Sequence, residues 1–82
     1  MSELQLAPLN DGVWQVIHPQ AGHVGNLKRI GSVWKFKAVG YGPGGEVIPG
    51  GGPLTDFHNT PFAAPDETLV NAALDSPENP VQ

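Results

Sequence analysis

The sequence predicts an α+β fold: a small antiparallel β-meander of three to four strands with one C-terminal helix packed on one face. Three observations carry this. Residues 13–39 form three successive apolar-rich segments, separated by turn residues, and hold both tryptophans. The last of them, 33–39, shows good strand alternation, with lysines at 35 and 37 between Trp34, Phe36 and Ala38. One helical stripe follows, opened by Pro65 and two acids.

In residues 1–10, Leu4, Leu6 and Leu9 alternate weakly and mark a possible edge strand; Pro8 argues against a central one. Asn10-Asp11-Gly12 is a turn signal, because these residues tolerate positive φ. The first clear strand covers 13–17, with Trp14, Val16 and His18 on one face and Val13, Gln15 and Ile17 on the other. Pro19 ends it. The second strand, 24–30, has no cleanly apolar face. Gly25 is a bulge candidate, and a bulge there lets Val24 and Leu27 point the same way. Gly31-Ser32 is a two-residue link to the third strand. There Trp34, Phe36 and Ala38 face the core, and Val33, Lys35, Lys37 and Val39 face solvent, with the lysine stems covering the valines.

Ten of the fourteen residues from 40 to 53 are Gly or Pro, so this stretch is expected to be a mobile loop. Glu46-Val47-Ile48 is an apolar island able to form a short strand. Residues 54–59 alternate weakly. The helix is expected to begin at Pro65, with Asp66 and Glu67 at its positive end. Leu69, Ala72 and Ala73 form its apolar stripe, extended by Val70 and Leu74. Phe62 is placed to staple its start. About ten residues is marginal for an isolated helix, so packing on the sheet must hold it. Residues 75–82, with two prolines, read as a disordered tail. The organisation is thus an N-terminal segment 1–10, a single domain over 11–74, and the tail. The expected core is Trp14, Val16, Leu27, Trp34, Phe36, Ala38, Phe62, Leu69, Ala73 and Leu74.

A chain of 82 residues makes one domain with a modest core. It contains no cysteine, which excludes disulfides, thiolate metal sites and cysteine nucleophiles. The first residues carry no basic region or apolar run of signal-peptide length, and no stretch is long and apolar enough for a membrane helix. A cytoplasmic protein without membrane contact is therefore expected. The net charge is −4, but its distribution says more. Residues 1–27 sum to −2, residues 28–37 to +4, and residues 38–82 to −6. All four cations (Lys28, Arg29, Lys35 and Lys37) lie in the second and third strands.

Chemistry-bearing constellations are sparse. His18, His23 and His58 match no ligand spacing of known geometry, so no metal or other cofactor is expected. The glycine-rich stretch lacks the Lys and Ser/Thr of a phosphate-binding loop and carries Glu46 instead. Ser2, Ser32 and Ser76 have no nucleophile context, and no carboxylate pair is brought together. No enzyme activity is expected. Nucleic-acid binders combine basic grooves with aromatic platforms. Here Trp34 and Phe36 alternate with Lys35 and Lys37 and so point away from them. The run from Trp14 to Ala38 is similar in style to small bacterial meander-plus-helix domains. The pattern follows from sheet and turn physics and identifies no family.

The expected function is a non-enzymatic protein-interaction module. Its partner surface is the basic strand face, Lys28, Arg29, Lys35 and Lys37, with the Gly/Pro loop around Tyr41 and Glu46. Nucleic-acid binding through the same residues is the alternative. A sheet covered by one helix leaves a face and an edge open, so a homodimer is also expected.

Overall fold

The computed structural model describes residues 3–74. The expected tail, 75–82, lies outside the described residues. The architecture is the predicted α+β meander with more strands than expected: β1 (Gln5–Asn10), β2 (Val13–His18), β3 (Gly22–Ile30), β4 (Val33–Tyr41), β5 (Val47–Pro49) and β6 (Pro61–Phe62). A 3-10 turn covers Thr55–Phe57, and the helix α1 covers Glu67–Leu74. Strands β1 to β5 pair in sequence order, all antiparallel. Strand β6 also pairs with β4. The last sheet position is thus shared: β5 lies beside Val39–Tyr41 and β6 beside Trp34–Lys35.

Each turn has a local cause. At β1–β2 the Asn10 side-chain oxygen accepts the Gly12 N–H at 2.9 Å, an Asx turn. The register shifts between Pro8 and Asn10, leaving Leu9 unpaired and 61% exposed. At β2–β3, Nδ1 of His18 accepts the N–H groups of Gln20 and Ala21, both at 3.1 Å. At β3–β4, Gly31 takes φ 65°, the left-handed first position of a two-residue hairpin turn matched to strand twist.

The bulge expected at Gly25 is present. Val16 pairs with Gly25 and Ile17 with His23, so Val24 has no partner across β2. The extra residue resets the side-chain phase of β3. Val24 and Leu27 therefore both sit in the core with no exposed surface. Gly25 is required by close approach: the Phe36 ring lies over it, and a Cβ there would sit 2.7 Å from the Lys37 carbonyl oxygen.

The core is the face of β2–β4 bearing Val16, Leu27, Phe36 and Ala38, covered by Val70 and Leu74 of α1 and closed by Leu4, Leu54 and Phe62. Two expectations need correction. Leu69 is 43% exposed, whereas Val70 is fully buried. The helix also starts later than expected, with Asp66 as the N-cap and not a first-turn residue. Its Oδ1 accepts the N–H of Thr68 at 2.8 Å and of Leu69 at 3.3 Å. Val70 and Leu74, four apart on one helical face, are the part of the apolar stripe that meets the sheet. Trp14, Trp34 and Ala73 are only partly buried at the core margin. Leu4 and Leu54 are buried core residues that the sequence pattern did not single out.

Both sheet edges are blunted. On the outer side of β1, Asn71 takes both backbone groups of Leu4, and Glu67 Oε2 accepts the Leu6 N–H at 3.0 Å. The next outward position in this alternation is Pro8, which has no N–H. On the other side, β5 and β6 carry Pro49 and Pro61. The expectation of an open edge is corrected by these contacts.

The Gly/Pro stretch is held by hydrogen bonds along much of its length. Gly42 N–H donates to Glu46 O at 2.8 Å, Gly50 N–H to Ala38 O at 2.7 Å, and Gly51 N–H to Ile48 O at 3.1 Å. Thr55 Oγ1 donates to Gly50 O at 2.5 Å.

Candidate functional site

One face of the sheet packs against α1; the other is open. Its side chains follow from the register. Gln15, Asn26 and Lys37 form one row across β2, β3 and β4, and Val13, Lys28 and Lys35 form the next. Tyr41 has the same strand parity as Lys35 and Lys37, and Val47 is its partner on β5. Lys28 is exposed, Lys35 and Lys37 are half-buried, and Lys37 Nζ donates to Asn59 Oδ1.

Lys28 and Lys35 stand directly opposite each other. Like charges in a cross-strand pair oppose sheet formation, and no strand supplies a compensating carboxylate: none of the six strands contains Asp or Glu. The described acids all lie before β1, in turns and loops, or at the start of α1. The four cations, by contrast, are all in β3 and β4.

Arg29 departs from the expected grouping. It pairs with Trp34, at core-face parity, and so does not share the lysine face. Lys28, Lys35, Lys37 and Tyr41 do share it.

A hydrogen-bond chain crosses this face. His23 Nδ1 lies 2.7 Å from the Tyr41 hydroxyl, and its Nε2 lies 2.9 Å from Asn26 Oδ1. The two rings are 6.1 Å apart, centroid to centroid, and inclined by 51°. His23 and Asn26 are three apart, a spacing that puts side chains on opposite faces of a regular strand. The Val24–Gly25 bulge removes that conflict. Sequence reasoning named Tyr41 but missed His23 and Asn26 as its neighbours; the available signal was the bulge glycine between them.

The three histidines do not converge. His18 serves the β2–β3 turn, His23 serves Tyr41 and Asn26, and His58 Nδ1 accepts the Ala38 N–H at 3.0 Å. Among the described residues no group of three or more His, Cys, Asp or Glu is placed to hold a metal ion. Likewise no helix of the described residues is long and apolar enough to cross a membrane. An open cleft of about 460 Å³ lies where α1 meets the N-terminal segment, lined by Glu3, Leu4, Gln5, Glu67, Thr68 and Asn71. Its Glu67 and Asn71 side chains are engaged with the backbone of Leu6 and Leu4.

Comparison with known protein families, with curated proteins and with solved structures finds no match for this chain.

Proposed function

We propose that the protein is a non-enzymatic interaction module that docks an acidic partner protein on the open face of its sheet. The observation that carries this is the separation of charge. Three lysines stand on one face whose strands hold no carboxylate, and two of them are held directly opposite each other. Such an arrangement costs stability in the free protein and is relieved by an anionic surface laid across it. Gln15 and Asn26 add donors and acceptors between the charges, and Tyr41, 50% exposed, with Val47, 57% exposed, supplies an apolar end. Aromatic anchors beside polar groups are the usual energetic centre of an interface. A cytoplasmic setting belongs to the same reading and fits a chain without cysteine.

A homodimer remains part of the proposal only through a face and not through an edge, because prolines and side-chain caps occupy the edges. Symmetric pairing of the open face would bring lysines against lysines, so salt would favour it.

A second reading, nucleic-acid binding, is favoured by the Gln15–Asn26–Lys37 row. Amide and ammonium groups in one row suit base edges and phosphates. Tyr41 is the aromatic residue at lysine parity, while Phe36 is fully buried. That favours a duplex over a stacked single strand.

Affinity capture from the protein's own cells tests both readings, using wild type and Lys28→Glu/Lys35→Glu, each with and without nuclease. The proposal expects an acidic protein that survives nuclease and is lost with the variant. Retention by the variant overturns the face, and loss on nuclease treatment replaces the partner with nucleic acid.

A further inference from the structure

We infer that Tyr41 is a covalent modification site: an exposed phenol that accepts a phosphoryl group from a small anionic donor, with His23 as its base. Asn26 Oδ1 is an acceptor only, so the imidazole proton facing it sits on Nε2. Nδ1 is then the acceptor, 2.7 Å from the Tyr41 hydroxyl. The order is nucleophile, base, orienting group, each within hydrogen-bond reach of the next. Asn26 acts through His23 and is a positioning residue.

The surroundings select the electrophile. Lys37 pairs with Asn26 across the strands, and Lys35 follows on the same face. Lys28, Lys35 and Lys37 make this face positive, which favours an anionic donor over a neutral one. With an acyl phosphate as donor, the Tyr41 oxygen forms a bond to phosphorus as the phosphorus–oxygen bond to the acyl group breaks. The carboxylate leaves with that electron pair. The phenol proton passes to His23 Nδ1 and then to water, so no oxidant or reductant is involved.

The consequence for docking rests on the function proposed above. A phosphotyrosine brings roughly −1.5 to −2 charges to a face bearing three lysines. It cancels much of the field that recruits an acidic partner. The acceptor chemistry itself stands without that reading.

The test uses acetyl phosphate and the intact protein. The chain has a single tyrosine, so one site can carry the acid-stable adduct of a phenol. Acid treatment removes any phosphoryl group from histidine, and mass analysis then reads what remains. Wild type is expected to gain one acid-stable phosphoryl group and Tyr41→Phe none. His23→Gln should react about 100-fold more slowly at an unchanged melting temperature, the range expected for losing a general base. Asn26→Asp, which keeps an acceptor at Nε2, should retain the reaction, and Asn26→Leu should lose it. Absence of an acid-stable adduct in wild type overturns the inference. So does a His23→Gln rate equal to that of wild type. A wild type that labels normally but captures no acidic partner would sink the docking face alone.

Discussion

Asn71 grips Leu4 by both backbone groups: its Oδ1 accepts the Leu4 N–H at 2.8 Å, and its Nδ2 donates to the Leu4 carbonyl at 3.0 Å. The amide thereby mimics a neighbouring strand, closing the sheet edge and tying the C-terminal helix to the N-terminal strand. The same Nδ2 also donates to the Glu67 carbonyl at 2.9 Å. Asn71→Ala is expected to lower unfolding stability by about 1–3 kcal/mol, as partly buried backbone groups lose their partners. Urea unfolding measures this. Asn71→Asp, which cannot donate to the carbonyl, should also be destabilised.

The helix register gives a sharper contrast. Leu74 is 1% exposed and Leu69 is 43% exposed. Leu74→Ala should cost about 2–5 kcal/mol, and Leu69→Ala about 0.5 kcal/mol or less. Equal losses would mean that α1 presents a different face to the sheet.

Gly25 admits no side chain. Its Cα lies under the buried Phe36 ring and beside the Lys37 carbonyl. Gly25→Ala should destabilise by about 1–3 kcal/mol through overpacking, and by displacing His23 it should also disturb the Tyr41 chain. Thermal melts report the first effect, and the rate of Tyr41 labelling by acetyl phosphate reports the second.

The facing lysines predict an unusual sign. Lys35→Glu replaces a like pair with an opposite one opposite Lys28. It should stabilise the free domain by about 0.2–1 kcal/mol, with the gain shrinking in high salt, while weakening partner capture. A stability gain with unchanged capture would detach the lysine pair from function.

His58 holds the junction between β5 and β6. Ala38 donates its N–H to His58 Nδ1, and its carbonyl accepts from Gly50 N–H at 2.7 Å. His58→Ala should cost about 1–3 kcal/mol, and amide exchange should rise first at Ala38.

Much of this architecture was legible in the sequence because strand alternation and turn chemistry are local. Residues 34–38 alternate without interruption, so the faces of Phe36 and Lys35 follow directly. Gly31-Ser32 and Asn10-Asp11-Gly12 announce their turns. What was not legible depends on contacts distant along the chain. Leu4 becomes core only because α1 returns to it. The residues after β4 return to its edge twice, as β5 and as β6, and no pattern within Val47–Pro49 or Pro61–Phe62 signals a shared partner. Leu69 looked like stripe material, and only docking on the sheet selects Val70 and Leu74 as the buried edge of that stripe. In the candidate site, the lysine face was visible from alternation, and the bulge at Gly25 was visible as a breaker. Their joint consequence was not: shifting the phase of β3 brings His23 to Asn26 and Tyr41. Arg29 sits on the Trp34 side by plain alternation from Lys28.

The central claim is that the open sheet face, and not the helix side, meets the partner. The most direct measurement places a photo-crosslinking amino acid at Gln15, on the open face, or at Ala72, exposed on α1, and irradiates the protein's own cells. The account predicts a discrete adduct with an acidic protein from position 15 and none from position 72. An adduct from position 72 alone, or from neither, would contradict it.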